Sequence, residues 1–246
     1  MEQIFAESYF VSAGDSGPEG ELSLTVLISR IIETATFHAN SLHIGNPDMK
    51  DLDGGWVLGR LTIQMEKYPP VNTEFTLSTW IEGWNRMFST RCFEIKGKDG
   101  YIYGYARTVW MVINLMTHEN LGLSHLSLPE GMTANRECPI PVQGKHRIPD
   151  SAPVASYVFK YSDLDFYRHV NTLKWTEILL DRYTLHDFDE NFIHRFEISF
   201  MKEGRYGMKT EIRAHKTDDS GTTEWAISCN GNALVHSRIT LRHRQR

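Results

Sequence analysis

The densest run of chemically capable side chains is Tyr161-Ser162-Asp163-Leu164-Asp165-Phe166-Tyr167-Arg168-His169-Val170-Asn171-Thr172. It leads directly into NTLKWTEILLDRY, where Leu173, Thr176, Leu179/Leu180 and Tyr183 recur at helical spacing. Asp165, His169 and Asn171 are therefore expected at a helix N-terminus, where unpaired N–H groups and the positive end of the helix dipole collect. Such a position can hold a carbonyl oxygen as it becomes an oxyanion. Each residue also has a plainer role: Asp163 or Asp165 can cap the helix, and Asn171 is a favoured N-cap type. The combination with His169 and Asn171 is what raises the segment above ordinary capping.

Other chemistries find less support. The chain has no phosphate-binding glycine loop, no G-x-S-x-G elbow and no dinucleotide fingerprint. His38, His43, His118, His125, His194 and His236 show no ligand spacing, so no metal is expected. Cys92, Cys138 and Cys229 are odd in number and far apart, which argues for reduced thiols in a cytosolic setting. The N-terminus lacks a basic segment followed by an apolar run, and no stretch approaches the ~20 apolar residues that span a bilayer. A soluble cytoplasmic protein is expected, with no membrane partner. The net charge of −5 argues against nucleic acid. Residues 1–125 carry 9 basic and 15 acidic side chains, whereas residues 126–246 carry 17 and 16, so an acidic partner would find its better surface on the second half.

The elements that must position the segment form a repeat. The first half has a helix, LSLTVLISRIIETATFHANSL, then an alternating strand with Leu61, Ile63 and Met65 on one face. TEFTLSTWI, TRCFEIKG, an Asp99-Gly100 turn and YIYGYARTVWMVINL follow. The second half repeats the order: helix, a strand alternating Phe196, Ile198 and Phe200, then TEIRAHK, TEWAISC, an Asn230-Gly231 turn and NALVHSRITLR. Matching TEIRAHK to TEFTLST sets Thr210 against Thr73 and Glu203 against Glu66. The expected organisation is a repeat over 1–128, a Pro-rich linker over 129–153 and a second repeat over 154–246, giving an α+β fold.

The string DLDFYRHVNTLKW is similar to the D-L-D-x-N-x-H-V-N-N-x-x-Y segment of plant and bacterial acyl-acyl carrier protein thioesterases. GGWVLGRLTIQMEKYPP, RTVWMVIN and FMKEGRYG resemble three further ordered motifs of that family, so the likeness covers nearly the whole chain. The resemblance implies a double hot-dog fold and hydrolysis of fatty acyl-carrier protein thioesters, with acyl carrier protein as partner and no cofactor beyond the phosphopantetheine arm of the substrate. It implies catalytic roles for Asp165, His169 and Glu203, with Asn171 or Tyr167 orienting the histidine. The family's asparagine is Tyr167 here and its cysteine is Gly204, so no thiolate nucleophile is available there and attack by water, or by a carboxylate, remains. Only the second half carries Asp-x-x-x-His, which implies one active site per chain. Strand alternation would put Glu203 opposite Phe196, Ile198 and Phe200 unless Gly204 marks a bulge.

Backbone N–H groups around His169 to Asn171 are expected to polarise the carbonyl. The acyl chain is expected to lie against Trp56, Leu58, Val109 and Met111, and Arg168, Lys174 and Arg205 to steer an acidic carrier. The alternatives are an acyl-coenzyme A thioesterase, a hot-dog dehydratase, against which the missing Asp-x-Asn-Pro-x-His pattern stands, and a non-catalytic acyl-binding protein. Both a monomer and a homodimer are compatible with an internally duplicated chain.

Overall fold

The computed structural model describes residues 3–124, 126, 131–146, 151–219 and 221–245. It divides into two compact units, Met1–Val142 and Gln143–Arg246. The first contains β1 (Ile4–Phe10), α1 (Leu24–Ser41), β2 (Gly54–Met65), β3 (Glu74–Trp84), β4 (Ser89–Gly97) and β5 (Ile102–Asn114). The second contains β6 (Ala155–Val158), α2 (Thr172–Leu180), α3 (Leu185–Glu190), β7 (Asn191–Phe200), β8 (Lys209–Lys216), β9 (Thr222–Cys229) and β10 (Asn232–His243). Neighbouring strands run β2-β5-β4-β3-β1 in the first unit and β7-β10-β9-β8-β6 in the second, with antiparallel pairing throughout. The repeat read from the sequence is therefore a repeat of topology.

In the first unit α1 starts at the Ser23 cap, whose hydroxyl accepts the Val26 N–H. It buries Leu24, Leu27, Ile28, Ile31 and Ala35, spaced three and four apart along one stripe. Each large aliphatic side chain so buried contributes about 1.5–3 kcal/mol, and an aspartate at Ile31 would break the contact. The facing strand residues alternate with the pleat: Leu61, Ile63 and Met65 pair with Thr108, Ala106 and Gly104. Polar groups on this face are partnered. Tyr9 and Thr34 share a hydroxyl–hydroxyl bond of 2.9 Å, and Arg91 Nη1 meets His38 Nδ1 at 2.6 Å. Burial lowers the Arg91 pKa to about 10, which leaves it charged at neutral pH. His38 is thus a core residue.

The outer face of the same sheet is covered by residues 131–142. Trp80, Cys92, Ala134, Cys138 and Ile140 form one buried cluster there. Trp80 Nε1 donates to the Arg136 carbonyl at 2.8 Å, Arg107 donates to that of Ile140 at 2.9 Å, and the Arg136 guanidinium stacks over Trp80. Part of the expected linker is therefore a strap fixed to the first unit, because Trp80 and Cys92 would otherwise expose apolar surface. Gln143, bonded to Ser199 at 2.8 Å, belongs to the second unit. His125, residues 127–130 and residues 147–150, which include the expected boundary at 128/129, lie outside the described residues.

Two features depart from the periodicity reading. Helix α2 stops at Leu180 instead of continuing to Tyr183. The next turn closes through Tyr183 N–H to Leu180 O, and Thr184 begins α3 with a reciprocal cap to Asp187. The edge strands β1 and β6 were not legible, since neither contains a fully buried residue.

Candidate active site

The segment before α2 is built on backbone hydrogen bonds. Asn171 caps the helix, its Oδ1 accepting the Leu173 N–H at 2.9 Å. Its own N–H reaches the Asp163 carbonyl at 2.8 Å. Asp165 closes the loop: its N–H bonds the His169 carbonyl at 2.8 Å, and its Oδ1 accepts N–H groups from Tyr167 at 2.9 Å and His169 at 3.0 Å. Arg168 sits between them at φ 64°, a left-handed conformation that is unusual for a residue with a Cβ.

Below this loop Asp163 is buried. Burial alone would raise its carboxyl, but the Lys160 N–H, the Tyr157 hydroxyl and Lys174 together hold it below the usual range. Lys174 reaches Asp163 at 3.3 Å and Glu177 at 2.8 Å, the second contact contributing most to its raised pKa. Lys174 is therefore a strut between helix and loop rather than a free docking cation.

The loop presents His169 to Glu203. Nε2 lies 2.8 Å from Glu203 Oε2, and the two side chains are 28% and 29% exposed. Arg205 Nη2 reaches the same oxygen at 3.1 Å. Glu203 gets there because β7 ends at Phe200, so strand alternation no longer governs its direction. The chain returns alongside the loop instead: Val170 N–H bonds the Gly204 carbonyl at 2.8 Å, and His169 and Arg205 form an isolated bridge. A Cβ at Gly204 would sit 2.7 Å from both Trp175 Cζ2 and Val170 Cγ2, so this close approach has no room for a cysteine.

The structure therefore brings Asp165, His169 and Glu203 together and revises the role expected of the loop N–H groups. The N–H groups of His169, Val170 and Asn171 already have protein acceptors in Asp165, Gly204 and Asp163, so they do not form an oxyanion hole. The Asn171 oxygen caps the helix, while the Tyr167 ring lies against Phe166, 3.8 Å between centroids. The contact held by Nε2 is Glu203, with Asp165 fixing the His169 backbone.

The proposed acyl-contacting residues divide between two faces. Cross-strand partners share a face, and Trp56 pairs with Val112 and Leu58 with Trp110. Val109 and Met111, which alternate with Trp110 and Val112 along β5, lie on the other side. Trp56 Nε1 is committed to the Ile44 carbonyl at 2.7 Å. The register shift between Leu58 and Arg60 brings Met111 over Gly59, where a Cβ would lie 2.9 Å from its methyl. A single wall made of all four is ruled out.

The equivalent place in the first unit has the same skeleton. Gly17 N–H bonds Glu21 O, Gly20 N–H bonds Gly17 O, Leu22 N–H bonds Pro69 O and Ser23 N–H bonds Asp15 O. Bond for bond, Gly17 stands where Asp165 does, Glu21 where His169 does and Pro69 where Gly204 does. Glu203 therefore corresponds to Tyr68 and not to Glu66. The strand register agrees: Phe10 pairs with Glu74 and Tyr9 with Phe75, as Val158 pairs with Lys209 and Tyr157 with Thr210. The TEIRAHK match was two residues out, a slip that preserves every inward and outward face and so leaves no trace in the pattern.

Among known proteins, residues 2–121 match the acyl-ACP thioesterase N-terminal domain and residues 148–243 the C-terminal domain. A chloroplastic palmitoyl-acyl carrier protein thioesterase of Gossypium hirsutum is 22% identical over 92% of the chain, and a chloroplastic dodecanoyl-[acyl-carrier-protein] hydrolase of Cinnamomum camphora is 20% identical over 92%. The chain spans 57% and 62% of the length of those two relatives. The crystal structure of an acyl-ACP thioesterase from Bacteroides thetaiotaomicron superposes with a TM-score of 0.91 at 27% identity, covering 98% of both chains. The 12:0-ACP thioesterase from Umbellularia californica superposes at 0.83 with 17% identity, over 98% of this chain and 95% of that one. The two units are thus tandem hot-dog repeats, and the chain belongs to the acyl-ACP thioesterase family.

Proposed function

We propose that the chain hydrolyses the thioester of fatty acyl-acyl carrier protein, releasing the fatty acid and the carrier protein, with water as nucleophile. The observation that carries the mechanism is the 2.8 Å contact between His169 Nε2 and Glu203 Oε2. An imidazole–carboxylate pair can accept a proton from water as it attacks the carbonyl carbon, then return it to the departing thiolate. Asp165 is a positioning residue, since its Oδ1 holds the Tyr167 and His169 N–H groups. The donor for the developing oxyanion is assigned to the Thr172 N–H, which as the first residue of α2 has no intrahelical acceptor. This chemistry requires no metal or resident cofactor, because the phosphopantetheine arm arrives with the substrate.

The carrier is read from the rim of the loop. Tyr161, Phe166 and Tyr206 are 87%, 81% and 69% exposed, and Arg168 and Arg205 are exposed among them. A mixed aromatic and basic rim suits an acidic carrier protein better than a small donor. No helix among the described residues is long and apolar enough to cross a membrane; a cytoplasmic location accords with this and belongs to the same proposal.

The test compares carrier-protein and coenzyme A thioesters of graded chain length with the wild type, Glu203→Gln and His169→Ala. Each variant should lose about a hundredfold or more in kcat on the carrier substrate while remaining folded. Near-normal turnover by either folded variant removes that residue from the mechanism. Faster hydrolysis of coenzyme A thioesters at matched chain length overturns the carrier assignment.

A further inference from the structure

The outer face of the first unit holds two thiols that the hydrolytic site does not use. Cys92 is on β4, between its cross-strand neighbours Trp80 and Arg107. Cys138 is on the strap that covers them, and both belong to one buried cluster, 0% and 7% exposed. The Cys138 thiol lies 3.8 Å from the carbonyl of Ala106, next to Arg107, the cross-strand partner of Cys92. The backbone around Cys138 is fixed by charge: its N–H donates to Glu82 Oε1 at 3.0 Å, and its carbonyl accepts from Arg107 Nη2 at 3.4 Å. Arg107 and Glu82 are themselves paired at 2.8 Å. Cys229, by contrast, is half-buried and ends β9 before the Asn230-Gly231 turn.

We propose that Cys92 and Cys138 form a reversible disulfide that fastens the 131–142 strap to the outer face of the first unit. The two residues join elements that hydrogen bonds, cation stacking and apolar contact already hold together. The covalent bond would therefore add to an existing seam. The neighbouring Cys92 thiol, helped by the backbone and Arg107 and opposed by burial, lowers the Cys138 pKa. Cys138 lies on the covering strap and is 7% exposed, where Cys92, under it, is 0% exposed. Cys138 is therefore the attacking thiolate, in the direction of its lowered pKa, and Cys92, pushed up by its neighbour and by burial, the resolving thiol.

The oxidant is a low-molecular-weight disulfide. The Cys138 thiolate attacks one of its sulfurs, forming a Cys138 mixed disulfide and expelling one small thiolate. Cys92 then loses its proton and displaces the second small thiolate from Cys138. The protein dithiol is oxidised by two electrons, the small disulfide is reduced to two thiols, and no other reactant is needed. Because both sulfurs are buried, the first step waits on the strap lifting, so a slow reaction is expected.

Incubation of the full chain with oxidised glutathione, acid quenching, alkylation in denaturant and peptide mapping tests this. The expected product links the Cys92 and Cys138 peptides and loses two hydrogens, while Cys229 is recovered alkylated or as a glutathione adduct. Reductant should restore three alkylated cysteines. Cys92→Ser should halt at a glutathione adduct on Cys138. Oxidised wild type should also melt higher and resist proteolysis within 131–142, and lose both gains on reduction. Recovery of Cys92 and Cys138 both alkylated after long oxidation, or of an unresolved Cys138 adduct in the wild type, overturns the proposal. The wild-type mapping alone decides the matter if the serine variant does not fold.

Discussion

The loops ahead of α1 and α2 are the same object with different side chains. Both are held by the same four backbone bonds, both place a residue in the left-handed region, at Gly20 and Arg168, and both end in a hydroxyl or amide cap, Ser23 and Asn171. Where the second loop has Asp165, His169 and Glu203, the first has Gly17, Glu21 and Tyr68. The loop geometry therefore does not exist for catalysis. It turns each unit from its edge strand into its helix, and the first loop keeps the same backbone bonds without the proposed catalytic side chains. Asp163 and Asp15 make the same point: both carboxyls sit at the foot of their loops, and hydrogen bonds hold both below the usual range.

The largest effect expected from this comparison is an asymmetry of activity. Glu203→Gln and His169→Ala remove the groups proposed to act on the reacting atoms and should each lower kcat by about a hundredfold or more. Glu21→Gln and Tyr68→Phe, at the equivalent positions, should leave kcat within about threefold of wild type, since neither is proposed to act on the reacting atoms. Steady-state kinetics on one acyl-carrier substrate settles it. A large kcat loss in a folded Glu21→Gln variant would mean that the first loop also handles substrate.

A second contrast concerns Gly204 and its counterpart Pro69. Gly204→Cys would place a Cβ 2.7 Å from Trp175 and Val170, against the N-terminal half of α2. Overpacking of this kind costs about 1–3 kcal/mol, to be read as a lower urea midpoint. Turnover should fall with it, because the next residue back is Glu203. Val170→Ala added to Gly204→Cys should recover part of the stability by opening the space. Unchanged stability in the single variant would show that the Trp175 contact yields easily.

Most of the architecture was legible because it rests on period. The α1 stripe, the alternation of β2 and β7 and the two glycine turns all follow from side-chain spacing. The expected catalytic set came from family motifs, and the loop brought its members together. What escaped depends on pairing register and irregular backbone. The strands β1 and β6 bury no residue fully, so they carry no strong signal. Trp56 and Leu58 part company with Val109 and Met111 because the pairing register of β2 and β5 sets their faces, and sequence does not print register. Glu203 reaches His169 through a segment outside any strand. The acceptors of the His169, Val170 and Asn171 N–H groups are likewise fixed by a tertiary contact with residues 163–165 and 204.

The outer faces of the two sheets differ in their response to acid. On the first, among the described residues, Arg107 pairs with Glu82 and Arg136 with Glu94. On the second, His146 and His236 lie among Glu197, Glu224, Arg195 and Arg238, with His146 Nε2 bonded to Gln143 at 2.6 Å. Burial lowers the pKa of both histidines. The folded chain thus keeps them neutral at a pH where the unfolded chain takes up protons. Their contribution is present above about pH 6.5 and is lost as pH falls below it. The lowered Glu82, Asp15 and Asp163 act in the same direction in a more acidic window, their contribution being present above the ordinary carboxylate range and lost as pH falls below it. Urea unfolding at pH 7.5 and 5.5 should show the loss, and His146→Gln should flatten the difference. An unchanged slope in that variant assigns the effect to His236 or to charges elsewhere.

The smallest effect tests the skeleton itself through the left-handed residue of each loop. Arg168 at φ 64° has a Cβ in a conformation that Gly20, at φ 70°, occupies without strain. Arg168→Gly relieves that strain but enlarges the freedom of the unfolded chain, so the net change should lie within about 1 kcal/mol. Gly20→Arg, the reciprocal exchange, should destabilise by a similar amount, because a Cβ there meets nothing within 4 Å and the backbone alone opposes it. If the loops are interchangeable frames, the two shifts in unfolding free energy should have opposite signs. Arg168→Gly should in addition raise KM for the carrier substrate at low salt, with the deficit shrinking as salt screens the encounter, while KM for a coenzyme A thioester stays near wild type. Equal loss on both substrates would place Arg168 in support of the site, and leave Arg205 as the cation that meets the carrier.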